Sequence, residues 1–175
     1  MLLALLALPV MSRFQGLCFV LCLAASLTIP RLANAEEKGI FGAGLIVGEP
    51  TGVSVKYYLG DDTAIDAAVG GAFLGKGGVQ VHADFLWHPW ILETKPSFVL
   101  PVYLGLGMRV LDRNGGGGDE DHFRFGLRGV GGLLFDFTEA PLDVFLEVAG
   151  VADYRTRGDA FGLDINLGAG VRYYF

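Results

Sequence analysis

Apolar and polar residues alternate along most of the chain after residue 38, with a period of two. The alternation is clearest at the carboxyl end, where every second residue from Phe161 to Phe175 is apolar and most intervening residues are Gly, Asp, Asn or Arg. Successive side chains of a β-strand point to opposite faces, so this period indicates strands with one apolar face. Clusters of Gly, Pro, Asn and Asp interrupt the pattern at intervals typical of hairpins.

The interruptions divide the chain into eight predicted strands. These cover residues 39–48, 52–59, 63–73, 78–88, 97–112, 122–137, 142–154 and 160–175. Most are close to the 9–11 residues that cross a bilayer at a tilt, and eight strands close into a barrel whose interior side chains can just fill. We therefore predict an all-β fold, an eight-stranded antiparallel up-and-down transmembrane β-barrel. Strand parity then places residues 89–96 in the periplasm, as an unusually long turn between strands four and five.

Aromatic residues of the apolar phase collect at both ends of the predicted strands. One set is Tyr57, Phe85, Trp87, Phe135, Phe137, Tyr173 and Phe175, and the opposite set is Phe73, Phe123, Tyr154 and Phe161. Aromatic rings are favoured at both headgroup levels of a membrane. Period two alone also fits a soluble sandwich, but the two aromatic girdles favour a barrel in lipid.

The first 35 residues have a different pattern. Arg13 precedes an apolar run from Leu17 to Leu27, and Ala33-Asn34-Ala35 is the small-x-small triplet typical of a cleavage site. We interpret residues 1–35 as a signal peptide for export through the inner membrane, with Met11 as an alternative start. Residues 36–175 are then the barrel domain. A membrane anchor is the competing interpretation, but the apolar run is short and ends at the triplet.

Charge and cysteine content limit the classes of partner. The whole chain carries a formal charge of −6, and the first 35 residues contain two arginines and no acids, so the predicted mature domain carries −8. This balance repels polyanions and argues against nucleic acid as a partner. Both cysteines, Cys18 and Cys22, fall in the predicted signal peptide, so the mature domain cannot depend on disulfides.

Charged residues of the predicted inward phase are balanced in number. The acids are Asp66, Asp84, Asp143, Glu147 and Asp164, and the bases are Lys56, Arg109, Arg124, Arg128 and Arg172. In so narrow a lumen these charges must pair to offset their desolvation. We therefore predict a closed lumen with a salt-bridged plug.

The closing segment 170–175 is apolar at Val171, Tyr173 and Phe175, and it resembles the assembly signal of bacterial outer-membrane proteins. This resemblance implies recognition by the barrel assembly machinery. The predicted mature domain resembles the small OmpA-like and OmpX-like barrels in pattern. Segments 48–58 and 82–88 are similar to a family of small uncharacterised barrels of spirochaetes and proteobacteria, which implies the fold and the outer-membrane location without assigning an activity.

Two glycine-rich stretches have plain interpretations. Gly70 to Lys76 fits the first part of a phosphate-binding loop, but Gly77 replaces the required Ser or Thr and a strand follows in place of a helix, so we predict a hairpin. The other stretch runs from Asn114 to an acidic tip. That tip is the predicted exposed loop, a solvated surface for a partner or for divalent ions that bridge lipopolysaccharide, and its acids are Asp119, Glu120 and Asp121.

The sequence contains few residues that could act as a nucleophile or as a metal ligand. The histidines are His82, His88 and His122. No pair has metal-ligand spacing, and we interpret His82, which shares the inward phase of Asp84, as part of the polar plug. The mature serines, Ser54 and Ser97, are far in sequence from the histidines, which weakens a lipid-modifying Ser-His-acid enzyme.

We therefore predict no catalytic, cofactor or metal site and no enzyme activity. The predicted function is that of a monomeric integral protein of the cell outer membrane, surrounded by lipid and lipopolysaccharide, with a structural or surface-interaction role. The alternatives are a narrow pore, a lipid-modifying enzyme and a soluble lipocalin-like carrier. A carrier would need an apolar interior, whereas the inward phase here is charged.

Overall fold

The computed structural model describes residues 38–72, 77–113, 122–155 and 161–175. Its strands form one closed antiparallel barrel in which neighbours in sequence are neighbours in space, and β8 pairs with β1. The strands are β1 (Phe41–Gly48), β2 (Thr51–Tyr58), β3 (Thr63–Gly71), β4 (Val79–Thr94), β5 (Phe98–Arg113), β6 (His122–Phe137), β7 (Leu142–Arg155) and β8 (Phe161–Tyr174). Closure leaves no strand edge without a partner. The predicted eight-stranded all-β barrel is confirmed.

The first hairpin turns within two residues, between β1 and β2. Gly48 has a φ of +124°, a backbone conformation that glycine adopts at low cost. Thr51 Oγ1 accepts a hydrogen bond from the Gly48 N–H and donates one to the Gly48 carbonyl, both at 3.0 Å. The side chain that follows the turn therefore satisfies backbone groups that the ladder leaves open.

The predicted long turn at residues 89–96 is wrong. β4 continues to Thr94, and the hairpin to β5 is closed by a 2.9 Å hydrogen bond from the Lys95 N–H to the Phe98 carbonyl. The register between β4 and β5 shifts between Trp87 and Trp90, and again before Glu93. Such bulges leave residues of one strand unpaired, and a proline without an N–H can then lie within the strand.

The two faces of the wall have opposite chemistry. Along β4, Val79, Val81 and Phe85 are exposed on the outer face, whereas Gln80 and the residues that share its phase are buried. Every strand exposes large apolar side chains outward, and the most exposed of these among the described residues, Leu163 on β8, has 89% of its surface accessible. The interior instead buries charged and amide side chains, together with a smaller apolar cluster that includes Leu86 and Leu134.

Aromatic pairs lie at both ends of the barrel. The Phe41 and Phe175 ring centroids are 6.4 Å apart at the end that carries the first and last strand residues, and Tyr154 and Phe161 are 5.6 Å apart at the opposite end. Phe73, which the sequence assigns to that opposite rim, is outside the described residues. In the described part of the chain, no helix has the length and hydropathy needed to cross a membrane.

Candidate functional site: the charged barrel interior

The charged side chains inside the barrel form layers along its axis. Nearest the β7–β8 connection lies Arg109, which is 1% exposed. Its Nε and Nη2 donate to the two carboxylate oxygens of Asp153 at 3.2 and 2.5 Å, and Nη2 also contacts Asp164 at 2.6 Å. Nη1 donates to Asn166 at 2.8 Å and to Gln80 at 3.5 Å. The guanidinium therefore ties four strands together across the lumen.

The middle layer is built around Arg128 of β6. Its Nε donates to Asp84 at 2.7 Å, its Nη2 to Glu147 at 2.6 Å and its Nη1 to Asn166 at 3.2 Å. The hydroxyl of Tyr103 donates to the second oxygen of Glu147 at 3.2 Å. These contacts join β4, β5, β6, β7 and β8. Hydrogen bonds between charged groups are stronger than those between neutral groups, so the layer holds the five strands together firmly.

The third layer contains Arg172, which is 1% exposed. Its Nη2 donates to Asp66 at 2.8 Å and its Nε to the Ser54 hydroxyl at 3.1 Å. Nη1 lies 4.0 Å from Asp143, which accepts a 2.5 Å hydrogen bond from the Tyr174 hydroxyl. Residues of β8 therefore reach across the interior to β2, β3 and β7.

Lys56 lies in an aromatic environment below these layers. Its Nζ is 2.9 Å from His88 Nε2, and it lies over the rings of Tyr58 at 4.6 Å and Tyr103 at 5.7 Å. The ring of Tyr174 packs against Tyr58 with centroids 5.9 Å apart. Tilted aromatic rings and an ammonium group therefore fill this end of the lumen, where a cation over an aromatic face is stabilised.

Eight of the ten predicted lumen charges are at most 8% exposed. Arg124 is partly exposed, and the carboxylate side chain of Asp164 is 35% exposed. The eight buried residues are Lys56, Asp66, Asp84, Arg109, Arg128, Asp143, Glu147 and Arg172. Acids and bases of this set meet in three arginine-centred layers, although Lys56 contacts a histidine where an acid was expected.

Sequence reasoning missed several members of the network. Asp153 is 1% exposed and is the bidentate partner of Arg109, yet the inward acids predicted from the sequence do not include it. Asp153 lies an even number of residues from Asp143 and Glu147 on β7, so the period of two in that strand predicts that it points inward with them. Gln80 and Asn166 are also buried and inward; the period of two places both on the polar face of their strands, although a count of charges leaves them out.

The remaining predicted residues lie on the outside or beyond the described chain. Val171, Tyr173 and Phe175 of the predicted assembly signal are 42%, 41% and 71% exposed on the outer face. The predicted exposed loop with Asp119, Glu120 and Asp121, the predicted signal peptide at 1–35, and Gly75 and Lys76 of the glycine-rich hairpin are outside the described residues.

The described residues hold no arrangement of a hydrolytic triad. The Ser54 hydroxyl accepts from Arg172 inside the lumen and has no histidine partner in the described ranges. Ser97 lies in the β4–β5 turn, where its carbonyl accepts from the Thr138 N–H. A serine nucleophile needs a base within hydrogen-bond reach, and neither hydroxyl has one there.

No protein-family model, no curated protein and no solved structure matches the chain. The small closed barrel is shown by its own strand order and register. The resemblance to OmpA-like and OmpX-like barrels and to the spirochaete and proteobacterial family stays a prediction from the sequence pattern.

Proposed function

We propose that this chain is an integral outer-membrane β-barrel protein with a non-enzymatic, structural or surface-interaction role. The observation that carries the proposal is the inverted chemistry of the wall. Large apolar side chains are exposed around all eight strands, while the charged and amide side chains are inside. A monomeric soluble protein rarely leaves such a large apolar patch in water, whereas a bilayer requires one.

The closed backbone ladder supports the same proposal. Each strand, including β1 and β8, has partners on both sides. In hydrocarbon every backbone group must be satisfied internally, and a closed barrel is one of only two architectures that achieve this. A chain that closes its own barrel needs no second copy, so we propose a monomer surrounded by outer-membrane lipid and lipopolysaccharide.

The arginine-centred layers support a closed lumen over a conducting pore. The guanidinium groups of Arg109, Arg128 and Arg172 are each at most 1% exposed and contact acids contributed by other strands. An ion that crosses the lumen would have to separate these buried pairs. Separation has a high free-energy cost, because it leaves unpaired charges in a poorly solvated interior. The proposed role is therefore that of a plugged barrel.

Biogenesis follows from the same proposal. The predicted signal peptide would export the chain, and the barrel assembly machinery would read the outward Val171, Tyr173 and Phe175 of the last segment. Loops at the lipopolysaccharide side, including the predicted acidic tip, would then offer the surface for a partner.

Fractionation of cells that express the full chain tests the location. We expect the mature protein in the outer-membrane fraction, resistant to extraction with alkaline carbonate, with a periplasmic soluble protein and an inner-membrane protein as controls. Recovery of folded protein in the soluble periplasm would refute the proposal. A deletion strain assayed for envelope permeability, antibiotic sensitivity and adhesion then distinguishes a structural role from surface interaction.

A further inference from the structure

Three buried side chains converge inside the barrel at the wall formed by β3 and β4. His82 Nε2 lies 4.0 Å from Asp66 Oδ1 and 4.0 Å from Asp84 Oδ2. One ligand-type atom from each residue lies within 4.8 Å of the other two. All three residues are at most 3% exposed.

The sheet register forces the two carboxylates together. Asp66 of β3 is directly opposite Asp84 of β4, and His82 precedes Asp84 by two residues on the same inward face. Like charges directly opposite each other destabilise a sheet, and burial increases the cost. Something between these groups must offset that repulsion.

The two neighbouring arginines offset it only in part. Arg172 donates to Asp66 Oδ2 and Arg128 to Asp84 Oδ2. The other oxygen of each carboxylate is buried and has no hydrogen-bond partner, and the same is true of His82 Nδ1. Of these unpaired atoms, Asp66 Oδ1 is the one that lies 4.0 Å from His82 Nε2. Buried polar atoms are normally satisfied, so an unpaired carboxylate oxygen that faces the imidazole points to a ligand between the two side chains.

Charge counting in these layers leads to the same conclusion. Four buried carboxylates surround the site, and only two guanidinium groups contact them. The carboxylates are those of Asp66, Asp84, Asp143 and Glu147. The ammonium group of Lys56 contacts His88 and interacts with Asp66 and Asp143 only at a longer distance. With Lys56 included, the four acids exceed the nearby bases by one negative charge, which a bound cation would offset.

We propose that Asp66, His82 and Asp84 bind one divalent transition-metal ion of the zinc type inside the barrel. An imidazole nitrogen with carboxylate oxygens suits such an ion, whereas Ca²⁺ and Mg²⁺ prefer oxygen ligands alone. Zinc bonds to these atoms are about 2.0–2.2 Å long and tetrahedral, so two ligand atoms of one ion lie about 3.3–3.6 Å apart. The two 4.0 Å separations would shorten by about 0.5 Å when the ion binds, and the ion would share Asp84 Oδ2 with Arg128. The ion would hold the opposed carboxylates in place and complete the plug.

Zinc retention by the purified full chain, prepared without a histidine tag, tests this proposal. The protein is refolded in detergent with a small excess of Zn²⁺, dialysed against metal-free buffer and analysed for metal by mass spectrometry. We expect about one zinc per chain for the unmodified protein. We also expect Zn²⁺, and neither Ca²⁺ nor Mg²⁺, to shift the urea midpoint of unfolding upward, because a ligand of the native state stabilises it.

Matched variants separate the site from adventitious binding. His82→Gln and Asp84→Asn should weaken zinc binding at least about tenfold, whereas His88→Gln and Asp164→Asn change the same residue types elsewhere in the lumen and should retain the metal. Gel mobility before and after heating shows whether each variant is folded. If a site variant does not fold, the metal-specific midpoint shift of the unmodified chain still decides the question.

The absence of both retained zinc and a midpoint shift would overturn the proposal, as would equal retention by folded site variants. These measurements use detergent and do not depend on where the barrel resides in the cell. A negative result would therefore leave the proposed membrane location standing, and a failed fractionation result would leave the metal site standing.

Discussion

Replacement of Arg109 with methionine should strongly destabilise the barrel. The substitution leaves Asp153, 1% exposed, without the guanidinium that binds both of its oxygens. Breaking a buried pair by removing one partner typically costs about 3–5 kcal/mol, because the other charge stays buried. Asp164 also loses a contact, but its side chain is 35% exposed and water can replace the arginine, so it adds little. We expect a loss of about 3–5 kcal/mol in the free energy of unfolding.

Two companion variants test the reasoning behind this magnitude. Arg109→Met with Asp153→Leu removes both charges, and it should recover most of the lost stability because no uncompensated charge remains. Arg109→Lys keeps the charge but cannot reproduce the bidentate geometry, so its loss should be intermediate.

Urea unfolding of the chain refolded in lipid vesicles measures all these variants, with tryptophan fluorescence as the signal. A loss below about 1 kcal/mol for Arg109→Met, or a double variant as unstable as the single one, would refute the reading of this layer as a buried ion pair that needs both partners.

Three further results are expected. Gly126→Ala should lower the free energy of unfolding in urea by about 1–3 kcal/mol through overpacking, because a Cβ there would lie 2.4 Å from Asp153. At Gly150 nothing lies within 4 Å of such a Cβ, so Gly150→Ala should change the stability by less than about 0.5 kcal/mol. Equal effects of the two substitutions would contradict the packing argument. Leu167→Arg, at mid-strand, should cost about 2–4 kcal/mol in vesicles and Phe161→Arg, at the strand end, about 0–1 kcal/mol, and the absence of this difference would argue against a membrane-spanning wall. Planar-bilayer recording of refolded protein should show no steady single-channel steps, and ion-selective steps would favour the pore alternative.

The fold could be predicted because its signal is local. Every strand shows the period of two, and glycine, proline and acidic clusters mark the turns, so the strand number and most boundaries follow from the sequence alone. The error at residues 89–94 has a specific cause. Pro89 normally argues against a strand, but the register shift after Trp87 lets β4 continue past it. A bulge and a turn interrupt the alternation of apolar and polar residues in the same way, so the sequence pattern does not distinguish them.

The face of a lumen residue could be predicted, but its partners could not. The period places Arg172 and Asp66 inside the barrel, yet they are 106 residues apart in sequence and meet only because the barrel closes. The same limit applies to the convergence of Asp66, His82 and Asp84, where the alignment of two neighbouring strands decides whether the side chains meet. Sequence parity specifies a direction, whereas contact depends on register and strand stagger.

The buried charges also explain why this barrel has one register. A slip of one residue moves every side chain of a strand to the opposite face. For β8, such a slip would place Arg172 on the apolar outer face and remove its bonds to Asp66 and Ser54. The backbone ladder alone does not penalise that slip, because shifted strands can still pair. In this wall the apolar side chains therefore determine which face of each strand points outward, while the arginine contacts across the lumen select the alignment of strands far apart in the chain.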